Sequence, residues 1–329
     1  SAKDVAVTDI NALDLGAITI NGNLDVNTSG ALTQSGVLTV NQIGATSTFN
    51  VGSANDLTLS NVNNDFSSVS VISANDAVFS DFNDVNVGDA NLNGSLIINA
   101  GGAISQSSII DADSLVVNAA NGITLTGNNS VKEFEATNTL TGDIVFSNTA
   151  APLTLSSINQ SSDGNVDIIN TGAMITSGSI TTNGGDVNLS TISTDSSLKT
   201  LTINGSINTN GGAIAASSAN PLGQDHALIV SGQLNTAPGT GGVLVLGGST
   251  DLLTSPVVGS GNISLQGNGV DLTIGGLTFD TAVEFAVNRY LTVNGPLTTT
   301  GGANLSLVGD YDNNGSGGVF ITNGAVINS

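Results

Sequence analysis

Few residues in this chain have types and spacing suited to chemistry. Asp310-Tyr-Asp312-Asn-Asn314-Gly315 reads as the first half of a calcium loop. In such a loop, oxygens at alternate positions wrap a hard cation and a glycine makes the sharp turn. Ile321 stands at the twelfth position, where the bidentate Glu belongs. Asp310, Asp312 and Asn314 are therefore a candidate calcium site, and calcium is the one cofactor the sequence suggests. His226 is the sole histidine. Beside Asp225 it has the makings of a general base, but Pro221-Leu-Gly-Gln-Asp-His226 reads as a loop between strands. A single His leaves no His-based zinc site. The lack of Cys removes disulfides and thiolate chemistry.

The carboxylates outnumber the cations, 26 to 4, for a net charge of −22. A glycosidase needs two unique carboxylates. Here many acids recur instead at related positions, such as Asp4, Asp76 and Asp143, or Asp9 and Asp81. A recurring acid is read as a turn or cap residue. A lyase would add a basic proton acceptor, yet Lys3, Lys132, Lys199 and Arg289 are scattered. No enzymatic activity is expected, and a polysaccharide lyase or glycosidase is the alternative. Four cations cannot neutralise a nucleic-acid backbone, and so anionic a chain is repelled by anionic lipid. No apolar run approaches the ~18–20 residues of a membrane helix.

These side chains must be positioned by strands. Leu13-Asp-Leu15, Val37-Leu-Thr-Val40, Leu57-Thr-Leu59, Leu153-Thr-Leu155, Leu201-Thr-Ile203 and Leu291-Thr-Val293 alternate apolar with polar, the pattern of a strand with one face buried. Val283 to Leu291 alternates as well and reads as strand. Asn-Gly, Gly-Gly and Ser-Gly pairs between them form turns. Aromatics are 3% of the chain, so the expected interior is narrow and filled by Val, Ile, Leu and Ala.

The chain repeats. Shifted by 72, residues 2–35 fall on 74–107 without a gap, with 13 of 34 positions identical. Asn55–Leu59 matches Asn121–Leu125 at a shift of 66, and Asp76–Ser80 matches Asp143–Ser147 at 67. Residues 1–200 thus carry regular repeats of roughly 66–72 residues. Residues 201–329 carry divergent ones, with 201–213 and 291–303 sharing 8 of 13 positions. Short strands cannot bury their apolar faces alone. Coiled so that each rung pairs with the next at ~4.7–4.9 Å, they bury one continuous interior. The expected fold is all-β: a single continuous parallel β-helix over residues 1–329, of 14–16 rungs, with about three rungs of 20–24 residues in each repeat.

Leu57–Phe66 (LTLSNVNNDF), Asn75–Asp81, the Gly-Ala-Leu-Thr-Gln-Ser run at 30–35 and Ala100–Ser107 (AGGAISQS) resemble the repeats of filamentous-haemagglutinin-like large exoproteins. Those are adhesins of two-partner secretion systems in Gram-negative bacteria. The resemblance implies a right-handed β-helix, export to the cell surface, and a role in attachment or aggregation. That family's amino-terminal secretion domain has no counterpart here, so an interior segment is expected.

The first residues lack a signal peptide's basic and apolar regions, and neither end reads as a cap. Unpaired end rungs invite either flanking repeats of a longer chain or head-to-tail stacking of copies into a filament. The expected function is a non-enzymatic structural or adhesive element at the cell surface. Its expected partners are itself or flanking repeats, and host or neighbouring-cell glycans or proteins.

Overall fold

In the computed structural model, residues 3–150, 152–192 and 200–219 are described throughout; between 227 and 328 the description covers the strands and some of the turns. The described residues form strands and turns without a helix, and the strand pairs are parallel. The chain divides into two compact units, residues 1–150 and 151–329.

The first unit is a three-sided β-solenoid. One face starts with Val5–Asp9, the next with Leu13–Leu15 and the third with Ile18–Thr19. Register on the second face runs from Leu13 to Leu32, Leu57, Ala77, Leu96, Leu115 and Phe134. That is seven rungs, each closing in roughly 19–25 residues, the turn length of a solenoid. The first face stacks Val5, Leu24, Ser47 and Val69. The third stacks Ile18 on Leu38, and Val40 on Phe66. Backbone bonds from Ser67 to Val40 and from Asn86 to Ser67 carry the third face up to the column Val85, Ile104, Ile123, Ile144.

The second unit is built the same way. One face runs through Leu153, Met174, Leu201, Leu228, Thr250, Leu272, Leu291 and Val319. These eight rungs vary more in length, closing in roughly 19–28 residues. The stretch expected as strand is split into Val283–Val287 and Tyr290–Val293.

Alternation decides which side is buried. In Leu24–Thr28 the side chains of Leu24 and Val26 point into the coil and Asp25 points out. The interior departs from expectation in one respect. Six of the rare aromatics lie inside it: Phe49, Phe66, Phe79, Phe134, Phe146 and Phe285 are fully buried. Phe134 and Phe146 stack at 4.0 Å, and Phe49 meets Phe66 edge-on at 6.4 Å. Six large rings in a narrow interior replace several aliphatic layers, because a ring buries more area than Val or Ala.

The repeat holds about three rungs, but repeat and coil are out of phase. Residues 2–73 contain three rungs plus one further face, ten strands ending with Ser68–Ala74. Val5–Asp9 lies on the first face, whereas its equivalent Ala77–Asp81 lies on the second, above Leu57–Leu59. Leu13–Leu15 is on the second face and its equivalent Val85–Val87 reaches the third. Equivalent residues therefore do not stack on one another. The ladders that do form join non-equivalent residues, as Asn50 donates to Asn27 at 3.2 Å and Asn118 to Asn99 at 2.9 Å. In the second unit the related segments 201–213 and 291–303 are in phase: Leu201 and Leu291 share a face, four rungs apart.

Candidate functional site

The repeat-equivalent acids hold corners together. Asp4 Oδ1 accepts the backbone N–H of Asn23 at 2.8 Å, and Asp76 Oδ1 accepts that of Ser95 at 2.7 Å. Asp84 does the same for Ala103 at 2.7 Å. In each pair the donor lies 19 positions on, one rung up. A corner N–H outside the strand ladder needs an acceptor, and a carboxylate from the rung below supplies a charge-assisted one. Glycine precedes the donor Ser95 at position 94 and the donor Ala103 at position 102. A Cβ on Gly94 would lie 2.1 Å from Asp76 Oδ1, and one on Gly102 2.1 Å from Asp84 Oδ1. The signal is thus an Asp followed by Gly 18 positions later, a spacing that no local turn motif marks.

A second device uses amides. Gln34 Nε2 donates to Asn64 Oδ1 at 2.7 Å, and Asn64 Nδ2 returns a bond to Gln34 Oε1 at 2.9 Å. Asn64 also accepts from the Leu38 N–H and donates to the Leu59 carbonyl. The next repeat builds the same clamp from Gln106 and Asn129, with the Ile110 N–H and the Leu125 carbonyl. Asn64 and Asn129 are both fully buried, and the clamp satisfies an amide that would otherwise be costly inside. Gln34 and Gln106 are identical in the repeat alignment. Their Asn partners are not, because they come from rungs in the gapped part of the repeat.

One carboxyl stands apart. Asp81 is only 3% exposed, and burial pushes its pKa up to about 6 from 3.8, helped by the charges of Asp65 and Asp84. Its oxygens accept from the Phe66 N–H at 2.6 Å and the Asn83 N–H at 2.9 Å, which opposes the rise. Beside it runs a shallow groove of about 420 Å³, lined by Val62, Phe82, Asn99, Gly101 and Ala120 among others. A raised carboxyl in a groove is the kind of group that acid catalysis uses. Here, however, both oxygens are engaged by backbone N–H groups, which is the geometry of a corner cap.

Lys132 pairs with Asp113 one rung below, and that bond and charge raise its pKa. Both side chains are exposed, so the pair is worth little to stability. Of the candidate calcium ligands, Asp310 has a positive φ of 58° and its carboxylate accepts from the Gly315 N–H at 3.1 Å. Asp312 and Asn314 lie outside the described residues, as do Asp225, His226, Lys199 and Arg289. Among the described residues no three His, Cys, Asp or Glu side chains gather as a metal site. Among them, too, no helix is long and apolar enough to cross a membrane.

A family model described as "Repeats of unknown function (DUF5649)" matches residues 2–73 and 74–147. Its internal boundary coincides with the start of the second repeat at Ala74, the equivalent of Ala2. No curated protein and no solved structure matches the chain.

Proposed function

We propose that this chain is a non-enzymatic structural element of a secreted, surface-exposed protein, serving as a rod segment. The rod is continued either by flanking repeats of a longer adhesin or by further copies stacked end to end. One observation carries the reading: the side chains that recur with the repeat are spent on holding rungs together. Asp4 and Asp76 cap corners, and Gln34–Asn64 and Gln106–Asn129 clamp them; Asp84, whose equivalent is Ala12, caps a further corner in the same way. Each of these three carboxylates has one oxygen committed to a backbone N–H of the next rung, the work of a corner cap.

The resemblance to filamentous-haemagglutinin-like repeats supplies the setting: export, the cell surface, and attachment to glycans or proteins. The net charge of −22 favours separated thin rods over side-by-side bundles. Calcium enters the reading only at the 310–315 loop.

The test is electron microscopy of the purified chain over a range of concentrations, with and without calcium, alongside incubation with polysaccharides. Thin rods one coil wide support the reading. Short rods at every concentration select the flanking-repeat form, and filaments that lengthen with concentration select the stacked form. Release of new reducing or unsaturated sugar ends would overturn it in favour of a glycosidase or lyase.

A further inference from the structure

The one-face offset between repeat and coil has a consequence for what the repeat displays. Within the first unit the offset holds along the aligned length. Leu24–Thr28 on the first face corresponds to Leu96–Ala100 on the second. Leu32–Gln34 on the second corresponds to Ile104–Gln106 on the third. Leu38–Val40 on the third corresponds to Ile110–Ala112, which returns to the first above Ala90 and Val71.

Outward features move with the strands. Asp9-Ile10-Asn11 and Asp81-Phe82-Asn83 are equivalent turns of the same build. The Asn11 N–H donates to Asp9 Oδ1 at 2.8 Å and the Asn83 N–H to Asp81 Oδ1 at 2.9 Å. Each turn holds an apolar side chain out in solvent, Ile10 at 80% and Phe82 at 65% exposure. Ile10 follows a first-face strand and Phe82 a second-face strand, so the two project from different corners.

We infer that the repeat is an indexing module: each copy turns the surface that follows it by one face, so equal turns point in successive directions around the coil. Three copies return a turn to its first direction, ten rungs and ~48 Å further along at the strand spacing. A linear chain laid along one face meets equivalent turns only at that wide interval. The indexing follows from register alone and stands whether or not the rod is adhesive.

The chain contains no Cys, so pairs of introduced cysteines can carry spin labels without background. Two pairs in the full chain separate the alternatives. Thr8→Cys with Ile72→Cys places labels three rungs apart on one face. Ile72 lies between Val71 and Ser73, which stack through Phe49 and Asn50, then Val26 and Asn27, above Val7 and Thr8. Ile10→Cys with Phe82→Cys places labels on the equivalent turns. All four sites are exposed, and the melting point of each variant confirms the fold. By pulsed electron resonance the first pair should lie ~15 Å apart along the coil, and the second clearly farther, since it adds the distance between two corners. Equal distances for the two pairs would mean that repeats stack in phase, and would overturn the inference.

Discussion

The carboxylate of Asp76 occupies the space that a side chain on Gly94 would need: a Cβ there would lie 2.1 Å from Asp76 Oδ1. The two residues are one device. The acid caps the Ser95 N–H, and the glycine makes room for the acid. Gly94→Ala should cost about 2 kcal/mol, as overpacking does, and Asp76→Ala about 1 kcal/mol for the lost hydrogen bond. The double variant should lose less than the sum, because the new methyl enters the space the carboxylate has left. Gly22 is the control. Its Cβ would lie 1.7 Å from the backbone carbonyl oxygen of Lys3, so Asp4→Ala should not rescue Gly22→Ala. Urea denaturation of the four single and two double variants checks this, and additive losses at Asp76 and Gly94 would contradict it.

The two amide clamps should be energetically alike although they sit on different corners. Gln34→Leu leaves Asn64 without its reciprocal partner, and Gln106→Leu does the same to Asn129. Each Asn is fully buried. Each Asn keeps its bonds to backbone groups, so each substitution should cost about 1 kcal/mol, the net worth of a lost hydrogen bond. Equal falls in the denaturation midpoint at constant slope would show one device used twice. A loss at one site only would show that the clamp belongs to a particular corner and not to the repeat.

Strands and coil were legible in the sequence because both obey local rules. Leu57-Thr-Leu59 must put both leucines on one side, and the return of Asp4 as Asp76 shows that the arrangement recurs. The phase was not legible. The length of the repeat divides into three whole rungs as readily as into ten faces. Only the register of Ala77 on Leu57 distinguishes the two. The role of the acids was half legible. Recurrence marked Asp4 and Asp76 as turn residues, but their donors, Asn23 and Ser95, belong to the next rung, where no local motif points. Asp81 shows the limit of repeat reasoning. Its equivalent Asp9 is half-exposed, so the same residue type meets water at one corner and the interior at the next.

Ser47 is a polar residue in an apolar column. It stacks between Leu24 and Val69 on the first face and is fully buried, and its hydroxyl has no hydrogen-bond partner. Ser47→Ala removes a desolvated group without opening a large cavity, so stability should hold or rise by up to about 1 kcal/mol. Thr191 is the contrast, since its buried hydroxyl donates to Ser218 Oγ at 3.0 Å. Thr191→Val should cost about 1 kcal/mol by losing that bond. Thermal melts of the two variants should move in opposite directions, or only the second should move. A clear loss at Ser47 would mean its hydroxyl does find a partner.

Asp81 should make stability depend on pH in the direction opposite to a salt-bridged acid. Burial raises its pKa from 3.8 to about 6 in the folded chain. The folded state therefore binds the proton more tightly than the unfolded state. The stability this confers is fully present below about pH 4 and is lost as pH rises through 6. Two pH units correspond to roughly 3 kcal/mol. Asp81→Asn cannot titrate. Its single amide oxygen can accept from the Phe66 N–H or from the Asn83 N–H, but not from both as the carboxylate does. A protonated Asp81 shares that shortfall at pH 4, because its hydroxyl oxygen is a poor acceptor. Relative to the parent, the variant should therefore gain stability from pH 4 to pH 7. Acids other than its neighbours Asp65 and Asp84 contribute alike to both chains, so the difference between their denaturation midpoints isolates Asp81 and its coupling to those two. A gap that stays constant from pH 4 to 7 would show that the two backbone bonds outweigh burial and keep this carboxylate ionised throughout.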